Sequence, residues 1–193
     1  MKKSIHTCAW PTADPLLMKY HDNEWGVPVH SDRKLFEFLI LEGFQAGLSW
    51  LTVLRKRENF RKAFDNFDFN KIARYNEAKI RALMNNSGII RNKLKITGAV
   101  SNAKAFLEVR KQFGTFNKYI WNFTGGKTIH NEFASLQELP AKTVLSDRIC
   151  TDLKKKGFTF VGSPIVYAHM QATGMVNDHL KRCFRYKELM EKD

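Results

Sequence analysis

Four residues of the kinds that hold soft metal ions lie near the two ends of the chain: Cys8 and His21 at one, His179 and Cys183 at the other. Zinc accepts two cysteines and two histidines tetrahedrally, and a site with all four positions filled by protein has none left for catalysis. His179 and Cys183 are four apart on an expected last helix, which places both on one face. Cys8 and His21 flank Asp14-Pro15, a turn that can fold them together. A metal there would staple residue 8 to residue 183 and close nearly the whole chain into one loop. The four are not packed as two short C-x-x-C knuckles, and a His-x-x-x-Cys pair on a helix is also an ordinary surface or core feature. Cys150 makes the cysteine count three, which argues against a disulfide framework and for a reducing compartment, the cytoplasm.

A second kind of chemistry centres on Glu42. Leu35, Leu39, Glu42 and Ala46 follow one helical stripe with Phe38 beside it, so Glu42 points where its apolar neighbours point. A buried ionised carboxylate is expensive without a partner. Either it sits at a helix end and snorkels to water or to a basic residue, or it is a pocket carboxylate. Trp10, Tyr20, Trp25 and Trp50 lie in segments otherwise rich in polar turn residues. Each could be plain core, but aromatic faces around a carboxylate also suit a flat, positively charged heterocycle such as an extruded nucleobase.

A third feature is a basic turn between two helical stretches, Ser87-Gly88-Ile89-Ile90 followed by Arg91, Asn92, Lys93 and Lys95. Free N–H groups at the start of the second helix, with Arg91 and Lys93 beside them, would hold a DNA phosphate without reading bases. An ordinary αα-hairpin with a solvated turn fits the same residues.

The elements that must position these groups read as mostly α. Asp14 caps and Pro15 opens a helix over 14–24, and Ser31 or Asp32 caps another to about Gly43. Leu48-Ser49 opens a third through about Phe64. Asn70 caps a stretch bearing Ile72, Ala73, Ile80 and Leu83 that stops near Ser87-Gly88, and Asn92 starts a helix from Lys93 to about Phe113. A short aromatic helix with Phe116, Tyr119, Ile120 and Phe123 follows, then the Gly125-Gly126 turn. Ser146 caps a helix ending in Lys154, Lys155, Lys156 and Gly157. Ser163-Pro164 opens the next, to about Gly174, and Asn177 or Asp178 caps the last, to about Met190. The Phe158/Phe160 alternation is the only strand-like signal.

Composition narrows the partners. The chain has 193 residues and 32 Lys+Arg against 19 Asp+Glu, a formal net charge of +13. With 15 Phe and 44% hydrophobic residues it can fold, so the charge belongs to a globular surface and not to a disordered tail. No apolar stretch approaches a membrane span, and the start, Met1-Lys2-Lys3 and soon Cys8 and Trp10, lacks the apolar centre of a signal peptide. The basic residues are spread out and not gathered on one apolar-faced helix, which favours nucleic acid over a membrane surface.

Several long motifs in order then carry a resemblance. Cys8-Ala9-Trp10, Asp14-Pro15, the run Tyr20 to Pro28 (YHDNEWGVP), Leu41 to Trp50 (LEGFQAGLSW), Gly88-Ile89-Ile90-Arg91, Lys156 to Gly162 (KGFTFVG) and Val176-Asn177-Asp178-His179 resemble the DNA-3-methyladenine glycosylase I family of the helix-hairpin-helix superfamily. The likeness covers nearly the whole chain, from about Cys8 to Cys183.

The resemblance implies a mostly helical helix-hairpin-helix fold in which a structural zinc on Cys8, His21, His179 and Cys183 joins the terminal segments. It implies a single domain of two lobes over 1–193, with the hairpin within about 70–113 and a zinc lobe from about 1–30 plus 175–193. The family's pocket glutamate falls on Glu42 and its pocket aromatics on Trp10, Tyr20 and Trp50. Gln45 and Leu48 fall in the segment that fills the gap left by a flipped nucleotide, and Gly88, Arg91 and Lys93 fall on the hairpin. The activity implied is base-excision repair: a monomer that removes 3-methyladenine from alkylated duplex DNA and leaves an abasic site, without lyase activity. Three departures stand out. Leu17 replaces a second pocket tyrosine, and Phe44 stands where a polar residue is common. The stretch Ala103 to Val109, where related enzymes carry a catalytic aspartate, offers only Glu108.

Overall fold

A computed structural model describes residues 7–11 and 14–191. Residues 1–6, on which the expected lack of a leader turns, lie outside the described residues, as do 12–13 and 192–193; part of the expected zinc lobe falls there. In chain order the elements are α1 (Pro15–Asn23), α2 (Asp32–Gln45), α3 (Trp50–Ala63), α4 (Phe69–Ile72), α5 (Glu77–Met84), α6 (Lys93–Phe113) and α7 (Phe116–Trp121). Then come β1 (Ile129–His130), α8 (Val144–Lys155), α9 (Ser163–Ala172), β2 (Val176–Asn177) and α10 (Phe184–Met190). No helix among the described residues is long and apolar enough to cross a membrane.

The centre of the fold is α2. Every residue from Leu35 to Phe44 is buried, Glu37 and Glu42 included, so the helix is enclosed on all sides rather than amphipathic. It packs on α3, α6, α7 and α9. Its first residue ties three elements together: Asp32 accepts from the backbone N–H of Phe116 and Asn117 at 3.2 and 2.9 Å, capping α7, and from Arg110 Nε of α6 at 2.8 Å. At the other side Arg57 of α3 grips Glu24 with two bonds of 2.7 Å, and Arg61 grips Glu37. These planar, two-pronged pairs fix α3 against the end of α1 and the middle of α2.

Local chemistry accounts for the boundaries. The Asp14 side chain caps α1 at Leu16 N, with Pro15 in its first turn. Ser49 caps α3, and Asn92 caps α6 through Lys95 N. The three cysteines are all free.

The structure corrects several boundaries. The helix expected from Asn70 is broken in two. Asp68, not Asn70, caps α4, and Asn76 caps α5 by accepting from Lys79 N at 3.0 Å. The apolar spacing survives because both pieces bury their share, Ile72 in one and Ile80 and Leu83 in the other. Thr143 caps α8, and Ser146 is its reciprocal partner in a capping box. Gly162 precedes α9, with Ser163 and Pro164 in its first turn.

The last helix begins later than expected. Val176 and Asn177 pair in parallel with Ile129 and His130, which holds them extended, so neither Asn177 nor Asp178 caps a helix; Cys183 occupies that position before α10. Phe158 and Phe160 form no strand. That segment is pinned instead by Asn102 of α6, whose amide bonds Thr159 N and Thr159 O at 2.8 and 2.9 Å. Phe160 adopts φ +55° and lays its ring over Gly98, where a Cβ would stand 2.7 Å from the ring. Only glycine lets α6 pass there.

Candidate active site and metal cluster

The C-terminal half of α2 delivers Glu42 to the wall of a cavity of about 300 Å³. Trp10 enters from the N-terminal segment, Tyr20 and Trp25 from α1 and the turn after it, and Trp50 from the first residue of α3. Gln45, Leu136, Leu139 and the α9 residues Ala168 and Gln171 complete the lining. The rings meet edge to face: Trp10 and Trp25 centroids are 5.2 Å apart at 72°, and Tyr20 and Trp50 are 5.4 Å apart at 50°. The space suits one flat heterocycle.

Several of its buried polar groups take no partner from the described residues. Glu42 is 4% exposed and takes no hydrogen bond or counter-charge from any described residue. Burial pushes its carboxyl pKa up from 4.5 to about 8. The indole N–H groups of Trp10 and Trp50 are buried without acceptors. By contrast Trp121, a core tryptophan, donates its own to Val29 O at 2.9 Å. The Tyr20 hydroxyl is held far above its ordinary pKa, by burial first and by the nearby Glu42 second. A buried, unpaired carboxyl on the wall of an aromatic cavity suits a polar, flat ligand.

Leu48 is 43% exposed and lies with Gln45 and Glu42 along a smaller adjoining cavity of about 190 Å³, formed by the loop after α2 and the start of α9. The basic hairpin between α5 and α6 lies elsewhere on the surface, with Arg91 and Lys93 exposed. Its Gly88 N–H is taken by Asn86 Oδ1 at 2.8 Å, and its carbonyl accepts from Lys56 and Asn59 of α3. A Cβ on Gly88 would stand 3.0 Å from Asn86 Oδ1. One side chain links hairpin and cavity. Lys95 of α6 donates to the carbonyls of Phe44 and Ala46, 3.0 and 2.6 Å away, closing the C-terminal end of α2 just beyond Glu42.

The expected metal set comes together. The ligand atoms of Cys8, His21, His179 and Cys183 lie within 4.8 Å of one another, and all four residues are buried. His179 and Cys183 meet through the turns before α10, not along a helix face. Each ring is oriented from behind. His21 Nδ1 faces Asp22 Oδ1 at 2.7 Å, and His179 Nε2 faces the carbonyl of Trp25 at 2.9 Å. Those partners accept, so they fix the protons on the outer nitrogens and leave His21 Nε2 and His179 Nδ1 as lone pairs aimed inward. The two lone pairs are 3.1 Å apart, and Cys183 Sγ lies 3.6 Å from each. Bonds converging from Cys8, His179 and His21 push the Cys183 thiol strongly towards thiolate. Facing lone pairs beside a thiolate are what a shared cation resolves.

Other sequence-level candidates fall differently. Leu17 does not line the cavity but packs beneath it with Tyr20, Trp25 and Leu54. Phe44 is core, edge-on to Phe60 at 4.7 Å. Glu108 is exposed and paired with Lys111 at 2.6 Å, far from any catalytic role. The cavity's far wall, Leu136, Leu139, Ala168 and Gln171, carried no chemical mark in the sequence beyond the three-residue spacing of the last two. Outside both clusters, His169 is buried with neither ring nitrogen paired, and burial pushes its pKa down to about 4, so it is neutral.

Comparison with known proteins agrees with this geometry. A family model described as methyladenine glycosylase matches residues 10–186. The DNA-3-methyladenine glycosylase 1 of Escherichia coli (strain K12) is 45% identical over 182 residues, which cover 94% of this chain and 97% of that protein. The DNA-3-methyladenine glycosylase of Haemophilus influenzae (strain ATCC 51907 / DSM 11121 / KW20 / Rd) is 46% identical over 176 residues, covering 91% and 95%. A crystal structure of a 3-methyladenine DNA glycosylase I superposes with a TM-score of 0.89 at 49% identity, covering 93% of this chain and 98% of that one. A variant of such an enzyme solved in complex with 3-methyladenine superposes at 0.90 with 32% identity, covering 92% and 96%.

Proposed function

The chain belongs to the methyladenine glycosylase family, and on that premise we propose how its own residues do the work. It is a DNA-repair enzyme that flips 3-methyladenine out of alkylated duplex DNA and hydrolyses the N-glycosidic bond, leaving an abasic site. The chemistry needs little catalytic equipment. Methylation at N3 makes the base cationic, so it departs neutral without a strong general acid. Among the described residues the cavity lining has no lysine to supply an amine that would attack the sugar and cut the strand.

Glu42 is the residue that carries this reading. In the empty pocket its raised pKa keeps it protonated near neutral pH. A cationic base lowers that pKa again, so the carboxylate forms where the positive charge sits and accepts from the amino edge. Trp10, Tyr20 and Trp50 wall the ring. Gln45 and Leu48, beside Glu42 in the adjoining cavity, fill the gap in the duplex, while Gly88 shapes the hairpin turn from which Arg91 and Lys93 hold backbone phosphate.

Zinc suits the cluster of Cys8, His21, His179 and Cys183, and with four protein ligands it holds the terminal segments together and takes no part in the reaction. Pocket, cluster and hairpin all come from one chain, which supports a monomer. The three free cysteines support the cytoplasm as its compartment. The test is release of 3-methyladenine from methylated DNA by the wild type and by Glu42→Ala. We expect release by the first and loss of at least about a hundredfold in the second. Full activity in a stable Glu42→Ala protein would remove Glu42 from the site.

A further inference from the structure

Gln171 of α9 lines the cavity with a side chain tied on one side only. Its Nε2 donates to Asp178 Oδ2 at 2.8 Å. The same carboxylate takes the Tyr167 hydroxyl on Oδ2 at 2.5 Å and Asn131 Nδ2 on Oδ1 at 2.7 Å. Asp178 is 1% exposed, and three donors converge on it. A carboxylate so surrounded only accepts, so it faces the amide nitrogen of Gln171 and not the oxygen. Rotating the amide by half a turn would set oxygen against carboxylate. The remaining atom, Oε1, takes no hydrogen bond from any described residue.

The rest of the cavity's polar inventory gives this atom a meaning. Trp10 Nε1, Trp50 Nε1 and the Tyr20 hydroxyl are donors, Glu42 is an acceptor once ionised, and the Gln45 amide carries both kinds of group. An adenine presents an exocyclic amino group with two N–H bonds at position 6, and a guanine or hypoxanthine presents a carbonyl there. Two acceptors can each take one N–H of the amino group. Against a carbonyl Gln171 Oε1 is left as acceptor facing acceptor, out of reach of water, which a site punishes far more than a missing contact, whereas a protonated Glu42 can still donate.

We propose that Gln171, its amide orientation set by Asp178, is a specificity-determining residue whose Oε1 accepts a hydrogen bond from the amino edge of the flipped base and rejects bases with a carbonyl there. The inference rests on the base-release reading above. It assigns to Asp178 a positioning role distinct from that of its neighbour His179.

Binding of two free bases, 3-methyladenine and 3-methylhypoxanthine, to the full-length protein tests it, read by quenching of tryptophan fluorescence. Gln171→Leu and Gln171→Met remove the acceptor with little change in volume. Both are expected to cut the preference for 3-methyladenine over 3-methylhypoxanthine about tenfold, with metal content unchanged and a melting temperature lowered by the lost bond to Asp178 but still that of a folded protein. The same variants should raise KM for 3-methyladenine release more than they lower kcat, and raise the share of 7-methylguanine released. Asp178→Asn lets the amide turn and should move the preference in the same direction. An unchanged preference in folded Gln171→Leu and Gln171→Met overturns the proposal, whatever Asp178→Asn does. If the wild type released no 3-methyladenine from DNA, the base-release reading would fall, while the free-base ratio would still judge Gln171.

Discussion

The base pocket and the metal cluster are built from the same short stretches of chain and treat buried polarity in opposite ways. Trp10 is two residues from Cys8, Tyr20 precedes His21, and the carbonyl of Trp25, a pocket residue, orients His179. In the cluster every outer nitrogen is pinned and every inner donor atom points at one place. In the pocket Glu42 has no partner from any described residue, and the indole N–H groups of two of the wall tryptophans are buried without acceptors. The first pattern is the one expected of a permanent occupant held for structure. The second marks a transient one, because groups already satisfied by protein would have to give up a bond to bind it.

The comparison breaks first at the cluster. If its occupant is structural, removing it should be the largest single perturbation of the molecule. His21→Ala or Cys183→Ser, or a strong chelator, is expected to lower stability by several kcal/mol and unseat the terminal segments. Metal analysis of the purified protein with thermal melting in and out of chelator checks this. Absence of stoichiometric metal, with melting indifferent to chelator, would make the two buried clusters alike.

The pocket should respond in the opposite sense. Glu42→Gln keeps the shape and removes the charge, so base release should fall about a hundredfold or more while stability rises. The pH dependence follows from the raised pKa. Folded Glu42 holds its proton up to about pH 8, whereas the unfolded chain gives it up near 4.5. Between these values the native state binds more protons, so wild-type stability falls as pH rises through that window. Glu42→Gln is spared this loss. Its advantage should be near zero at pH 4.5 and reach a few kcal/mol at pH 8 and above, measured by urea melts across the range. A constant offset between the two proteins would mean that Glu42 is already ionised and paired in solution.

Lys95 belongs to neither cluster but sets one against the hairpin. Its ammonium closes the carbonyls of Phe44 and Ala46, so Lys95→Met should cost about 2 kcal/mol and loosen the end of α2 that carries Glu42 and Gln45. Denaturant melts give the stability. A KM rising together with that loss would show that the hairpin and the pocket share this strut, and an unchanged KM would separate them.

What the sequence made legible divides along the same line. The four candidate metal ligands announce themselves by residue type, and they meet even though the helix meant to align His179 with Cys183 is absent. Residue 177 is drawn into the pairing with His130, a contact 47 residues away that no local pattern signals. Glu42 was legible because a carboxylate breaks an apolar run. Gln171 and the far wall were not, because an amide, an alanine and two leucines become a site only when α9 and the 136–139 turn are packed against α2. The split between α4 and α5 was hidden for a related reason. Both halves keep one apolar rhythm, and only the side-chain caps at Asp68 and Asn76 interrupt it.

The smallest expected effect lies on the surface, where the +13 surplus has most of its members. Arg91 and Lys93 are exposed beside the start of α6, whose first N–H groups have no helical partner. If they hold phosphate, Arg91→Ala should weaken binding to damaged and undamaged duplexes alike. It should also flatten the plot of log affinity against log salt by about 0.9, the contribution of one released counterion. Gln171→Leu should do the reverse, changing which base is chosen and leaving the salt slope alone. A salt slope unmoved by Arg91→Ala and Lys93→Ala would shift phosphate binding to other members of the surplus, because a charge that only adds to the general field contributes little at any one position once salt screens it.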